Sequence, residues 1–330
     1  MVKLVTGGAG YLGSHLAKKL LKQGERVRVL DIARTKYLPP EVEFVEGDIR
    51  DRRVVAKAME DADVVFHLAF IQSFSRRPER EKWEIDIGGT RHMLEAALEV
   101  GVRRFVHTST IEIYGTRPPF PCTEDAPTDD PVGWYGRHKL ETEWLCGLFM
   151  KQGLAVTMLR LPTICGPGHY NHGPMLDLMD RILAGKPVAV AGDGKIYGSF
   201  VGYEDALDAY CLAAAKGEAV GEAFNVAAAE PATHREVLQA MIEAVGSRST
   251  IVGIPRFLVG PALRVLRAAG LWSLPDYQTG YILNHNCYAI DKAKRLLGFS
   301  PKWSTAQAAA ELIKSYAVDR HYVRQRNRNY

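Results

Sequence analysis

Three glycines set a tight limit on how this chain begins. Gly7, Gly10 and Gly13 stand three residues apart between an apolar run, Val2–Val5, and a segment of helical spacing, Ser14–Gln23, with Leu16, Leu20 and Leu21 on one side. Gly8, Gly10 and Gly13 fit G-x-G-x-x-G equally well. Both readings describe a strand that turns sharply into a helix. Its backbone can approach a ligand closely, and the bare N–H groups of the helix start attract a pyrophosphate. The next strand-like run, Arg26–Leu30, ends at Asp31, 21 residues after Gly10. An acid at that distance receives the ribose hydroxyls of adenosine and repels a 2′-phosphate, so NAD is favoured over NADP. Arg34 is the nearby cation that would hold such a phosphate. The plainer alternatives are a glycine turn without ligand and a solvated turn carboxylate.

The pattern then repeats. Val42–Val45 and Val64–Leu68 read as strands around a helix at Val54–Met59. Trp83–Val100 reads as a long helix closed by Gly101, Phe105–Thr108 as a strand, Gly133–Met150 as a helix and Leu154–Leu159 as a strand. Strands separated by helices mean βαβ units, and right-handed crossovers make a doubly wound parallel sheet. The fold class expected is therefore α/β, a Rossmann sheet with a smaller mixed C-terminal domain. The division expected is 1–165 for the dinucleotide-binding domain, with returning segments within 186–228, and 166–330 mainly for substrate. Pro162–Pro174 reads as a loop. Tyr197–Val201 with Ala206–Ala215, and Ala223–Val226 with Arg235–Val245, read as βα pieces. Pro255–Leu271 reads as an apolar helix, Ile290–Leu297 and Thr305–Ala317 as surface helices, and His321–Tyr330 as a frayed basic tail.

Composition narrows the function classes. The 330 residues, 47% hydrophobic and 24% charged, suffice for about two domains with full cores. The net charge is 42 − 38 = +4, and the segment from Asp319 to Arg328 supplies most of it. A nearly neutral body argues against nucleic-acid binding. Five cysteines without a CxxC pair suit free thiols in a reducing, cytoplasmic setting, and no metal site is expected. No apolar run is long enough to span a bilayer, and the first residues read as a core strand rather than a signal peptide.

Tyr135 and Lys139 lie four residues apart on an expected helix and so share one face. An ammonium stabilises a phenolate, which would bring the phenol toward neutral pH as a general acid and base. Taken alone, Tyr-x-x-x-Lys is as readily a plain helix face. Here it comes with His107-Thr-Ser-Thr-Ile-Glu-Ile-Tyr-Gly115, Gly47-Asp-Ile-Arg-Asp51, His67-Leu-Ala-Phe70, and Leu159-Arg-Leu-Pro-Thr163 followed by Gly166-Pro-Gly168. Each sits at a strand end, where doubly wound sheets bind ligands.

Together these segments resemble the extended short-chain dehydrogenase/reductase family, in its nucleotide-sugar epimerase/dehydratase branch. Ser199–Asp205, Phe224-Asn-Val226 and Asp291–Pro301 echo the family's C-terminal motifs more loosely. The resemblance implies Tyr135 as acid/base, Lys139 as its tuner and ribose ligand, and Thr110 as the hydroxyl bonded to the reacting substrate oxygen. It implies that Gly7, Gly10, Tyr11, Leu12 and Gly13 meet the pyrophosphate and that Asp31 meets the ribose. Asp48 and Ile49 would flank the adenine, Leu68, Ala69, Phe70 and Thr108 would line the cofactor, and Pro162 would approach the nicotinamide. It further implies NAD as cofactor and a homodimer built on the helices Trp83–Val100 and Gly133–Met150. Thr110 bonding only backbone is the plainer alternative for that residue.

Several positions depart from the pattern. Asp86 replaces the usual Asn, Phe70 a small residue, and Thr163 an Asn that contacts sugar nucleotides. Ile111 stands where dehydratases carry a proton donor, which ranks 4,6-dehydration low. Glu112 keeps the carboxylate position, either touching substrate or solvated. Tyr197-Gly198-Ser199 lacks the Arg that holds a diphosphate, so Arg76, with Arg77 and Arg80, is the candidate anion clamp beside Glu112 and Thr163. Pro255–Leu271, with interspersed Arg256, Arg264 and Arg267, resembles a region of the family's 3β-hydroxysteroid dehydrogenase-like branch. It would rest on a membrane, cover an apolar substrate or pack within the domain. His169 and His172 read as substrate-loop residues, His67, His107 and His138 as packing residues, and Cys165 as a buried thiol. The activity expected is epimerisation of a nucleotide sugar at C4. The alternatives are a net dehydrogenase or reductase of a sugar or hydrophobic alcohol, and an NAD-binding regulatory protein.

Overall fold

The strand leading into the glycine turn, β1 (Val2–Thr6), lies inside a seven-stranded sheet in the computed structural model, which describes residues 1–168, 173–269 and 279–326. On one side stand β2 (Arg26–Asp31) and β3 (Glu43–Glu46). On the other stand β4 (Ala62–His67), β5 (Arg104–Thr110) and β6 (Val156–Leu161), with Ala223–Asn225 at the far edge. All pairings in this sheet are parallel, with Val5 opposite Val29 and Phe66. A parallel sheet is covered on both faces, so its strands are apolar throughout instead of alternating. Accordingly every residue of β4 and β6 is buried.

Successive side chains still go to opposite faces. Val5, Val64 and Phe66 meet Leu16, Ala17 and Leu20 of α1 (Tyr11–Lys22) and Tyr210 of the helix Tyr203–Ala215. Leu4, Val65 and Phe105 meet α2 (Arg52–Met59), α4 (Thr90–Val100) and α5 (Gly133–Met150). The chain leaves β1 toward β2 and β3, then returns to the opposite side as β4. Between β1 and β4 lies the switch point at which such sheets open a crevice.

The expected helix Trp83–Val100 is not continuous. It begins as α3 (Glu79–Trp83), widens into a π-turn at Glu84–Gly89, and only then becomes α4. A period-3.6 reading does not register that one-residue slip. Inside the expected loop Pro162–Pro174, Thr163–Cys165 is a strand pairing with Phe200–Gly202. The expected surface helix Thr305–Ala317 runs from Thr305 to Arg326. Its Ala308, Leu312, Ile313 and Tyr316 are buried against the helices Gly173–Leu183 and His234–Ala244. It is therefore a core helix, and the tail expected to fray from His321 is helical to Arg326. The His234 helix starts with a reciprocal capping box between Thr233 and Glu236. A small parallel pair, Val188–Ala191 with Ile251–Ile254, completes this half and had no clear sequence signal.

Candidate active site

The glycine turn works by close approach. Gly7 has φ +66°, and a Cβ on it would sit 2.7 Å from the Ala69 amide nitrogen. A Cβ on Gly13 would lie 2.4 Å from the Gly7 carbonyl oxygen. Larger residues would push the turn away from the loop after β4. Helix α1 starts at Gly10 with no side-chain cap and no acid in its first turn, leaving its N-terminal N–H groups for an anion. Asp31 accepts from the Ala9 amide at 2.9 Å and from the Ile32 amide at 2.8 Å. Burial nonetheless raises its carboxyl above the usual range. This cradle fits a dinucleotide pyrophosphate and its ribose.

One cleft of about 2280 Å³ contains the cradle and the expected chemistry. That exceeds the ~300–1,000 Å³ of a single small-molecule pocket and leaves room for two ligands. Gly7, Gly10, Tyr11, Leu12, Gly13, Asp31, Asp48, Ile49, Leu68, Ala69, Phe70, Thr108 and Pro162 all line it, as do Thr110, Glu112, Tyr135, Lys139 and Thr163. Arg76 does not: it is exposed and outside the cleft wall, and Arg77 lines it instead. Arg76 and Arg77 precede α3, and Arg80 lies in its first turn. Arg77 pairs with Glu81 and Arg80 with Glu84, each four residues along. His169, Tyr170, Asn171 and His172 lie outside the described residues.

Tyr135 and Lys139 project from one face of α5 to the end of β5. The Lys139 ammonium donates to the Thr108 carbonyl at 2.7 Å and lies 3.4 Å from the centre of the Phe70 ring. Phe70 also meets Tyr135 edge-on at 5.6 Å between ring centres. The ammonium is 5.8 Å from the Tyr135 ring centre. Burial pushes Lys139 down to about 7, against the pull of Asp86 and Glu143. Burial also raises the Tyr135 phenol, and Glu112, Asp86 and Tyr210 add to that. The expected lowering of Tyr135 by Lys139 is therefore not found in the chain by itself. Phe70 takes the near side of the ammonium, and desolvation outweighs the remaining attraction.

Thr110 is buried at the end of β5, and its hydroxyl accepts from the Glu112 amide at 3.3 Å, the local bond anticipated as its alternative role. Glu112 is half-buried and faces the cleft. Its Oε2 has no hydrogen-bond partner among the described residues, and burial pushes its carboxyl up to about 8. It is not a solvated loop acid.

Two supports were not read from the sequence. Tyr210 places its hydroxyl 2.6 Å from the Thr108 hydroxyl. Glu143 binds Arg160 through two bonds of 3.0 and 2.8 Å and accepts from Ser109 at 2.5 Å, while Arg160 donates to the Tyr114 hydroxyl at 2.7 Å. This buried network fixes β5 against β6 and so holds Thr110. Glu143 stands four residues after Lys139, the only signal that could have found it. Asp86, in the π-turn, accepts from the Ile71 amide and pairs with His138, both at 2.9 Å. It thus anchors the loop that carries Phe70. His67 and His107 are packing residues as expected, held by Thr6, Thr90 and Thr142. Cys165 is fully buried.

The chain matches the profile of the NAD dependent epimerase/dehydratase family over residues 3–227. It is 32% identical over 327 residues to a UDP-N-acetyl-alpha-D-glucosaminuronate decarboxylase of Bacillus cytotoxicus, covering 94% of this chain and 96% of that one. It is 29% identical over 342 residues to a 3 beta-hydroxysteroid dehydrogenase/Delta 5-->4-isomerase of Mycobacterium tuberculosis, covering 95% and 90%. Among solved structures, it is similar to the UDP-glucose 4-epimerase of Thermotoga maritima with UDP-glucose, at TM-score 0.78 and 27% identity, covering 96% and 99%. With this cradle, sheet order and extent of match, the chain belongs to the NAD dependent epimerase/dehydratase family, as an enzyme of the extended short-chain dehydrogenase/reductase type whose cofactor is NAD.

Proposed function

We propose that the protein epimerises a nucleotide sugar, at C4, through a keto intermediate. The observation that carries this reading is the joining of the dinucleotide cradle, Thr110, Tyr135 and Lys139 in one cleft with space for a second ligand. On this reading the chain divides into residues 1–165, with returning pieces within 186–228, for NAD, and 166–330 mainly for substrate.

NAD, when bound, supplies a hydride acceptor and donor. Tyr135 takes the proton from the substrate hydroxyl and gives it back to the keto oxygen after the sugar has turned. Thr110 donates to that oxygen and orients it. Lys139 places a positive charge below the phenol and holds a ribose hydroxyl, with the Thr108 carbonyl fixing its ammonium. The raised phenol of the isolated chain is then the resting state, and positive charge arriving with the cofactor favours proton release. Glu112, held largely protonated, meets the substrate as a hydrogen-bond donor. With Arg76 outside the cleft, Arg77 and Arg181, both on the wall, take over as candidate ligands for the substrate's phosphates.

A second reading is an NAD-dependent dehydrogenase of a hydrophobic secondary alcohol. It draws on the far end of the cleft, lined by Met175, Leu178, Val259, Leu263 and Leu266. A panel of UDP-, GDP- and dTDP-sugars assayed for the C4 epimer distinguishes the two. Epimer formed without net NADH supports the first reading. NADH accumulating with sterol-like alcohols, and no epimer, refutes it. The exposed Trp83, Trp144 and Leu148 on the α3–α5 face support a homodimer, which light scattering at micromolar concentration tests.

A further inference from the structure

The helix Arg256–Ala268 has two apolar sides where one is enough to fold. At 100° per residue, Val259, Leu263 and Leu266 fall on one arc. Val259 and Leu263 are buried against Ala191 and Ile196, and all three side chains roof the far end of the cleft. Phe257, Leu258, Pro261, Val265 and Ala268 fall on the opposite arc, and all are exposed, Phe257 at 78% and Val265 at 69%. Arg256 and Arg264, both exposed, occupy the flank between the arcs. From Glu243 to Asp276 the sequence has no acidic residue but contains Arg248, Arg256, Arg264 and Arg267.

We propose that this helix lies on an anionic lipid surface, with Phe257, Leu258 and Val265 in the acyl boundary and the arginines at the headgroups. An apolar arc bordered by cations and free of acids matches such an interface in both polarity and charge. A second copy is a poor occupant. Two-fold pairing would bring Arg256 and Arg264 of both copies together with no acid on either helix to meet them. No helix among the described residues is long and apolar enough to cross a membrane, so the contact is peripheral. Its inner arc roofs the cleft, so docking would place the far end of the cleft one helix away from the lipid. The lipid contact is separate from the proposed epimerisation and is tested without turnover.

The test is sedimentation of the full chain with vesicles of phosphatidylcholine alone or with about a third phosphatidylglycerol. The protein is expected to sediment with the anionic vesicles and to be released by salt. Phe257→Ser with Val265→Ser should lower the bound fraction at least about tenfold, and Arg264→Glu should abolish the preference for anionic lipid. The exposed positions leave folding intact, which an unchanged melting temperature verifies. Three results would overturn the proposal: no binding to anionic vesicles, binding unaffected by the double serine variant, or a dimer that the variant converts to monomer.

Discussion

Glu112→Gln is the substitution whose effect can be worked out most fully. The wild-type carboxyl titrates near 8 in the folded chain and near 4.5 when unfolded. Between those values the folded state holds the extra proton. Stability contributed by the protonated carboxyl is therefore present below pH 4.5 and is lost as pH rises toward 8. Ionising the group across the whole interval costs about 5 kcal/mol at ~1.36 kcal/mol per pH unit. Between pH 5 and pH 7 the limit is about 2.7 kcal/mol by the same conversion, and water entering the cleft reduces it to about 1–2 kcal/mol. Gln matches the protonated acid in shape and does not ionise. Lys139, held near 7, titrates mainly above this window and is common to both proteins. Thermal melts at pH 5, 6 and 7 provide the assay. The two proteins should melt together at pH 5, and the glutamine variant should gain about 1.5–3 °C by pH 7, for an unfolding entropy of ~2.1 cal/mol/K per residue. Parallel melting curves across the window would refute the buried, unpartnered carboxyl.

Other residues give independent checks. Asp31→Ala should weaken NAD about 10–100-fold and narrow the preference over NADP, read by calorimetric titration with each cofactor. Gly13→Ala places a Cβ 2.4 Å from a carbonyl oxygen and should abolish NAD binding while circular dichroism keeps its α/β signature. Glu143→Gln leaves the Arg160 guanidinium buried without its counter-charge and should cost about 3–5 kcal/mol, measured by chemical denaturation. Tyr135→Phe removes the hydroxyl that moves the proton and should lower turnover by at least about 100-fold with NAD binding retained.

The first half of the chain was legible because its signals are local. The glycine turn, the apolar strand runs and the capping glycine after Val100 each specify their own geometry, and α5 begins and ends where its spacing predicts. The segments that gather at the strand ends followed from the rule for ligand sites in such sheets, and the individual cofactor positions were what the family resemblance implied. What escaped was non-local. The π-turn at Glu84–Gly89 serves Asp86's bonds to Ile71 and His138, and no sequence period records it. Arg76 and Arg77 are neighbours in sequence, and only the path of the loop before α3 decides which of them lines the cleft. The Tyr135 phenol depends on how deeply the site is desolvated and on Phe70 covering Lys139, a matter of three-dimensional packing. In the second half, the three-residue strand Thr163–Cys165 lies inside an expected loop and forms by pairing with Phe200–Gly202, which overlaps the expected strand Tyr197–Val201.

The proposed epimerisation, in which hydride leaves and returns to the same sugar, requires the cleft to hold NAD through the catalytic cycle rather than exchange it. The most direct measurement is to purify the protein without added cofactor, denature it, and quantify NAD in the supernatant. The account predicts NAD stoichiometric with the chain. A cofactor-free protein that releases NADH into solution at each turnover would contradict it.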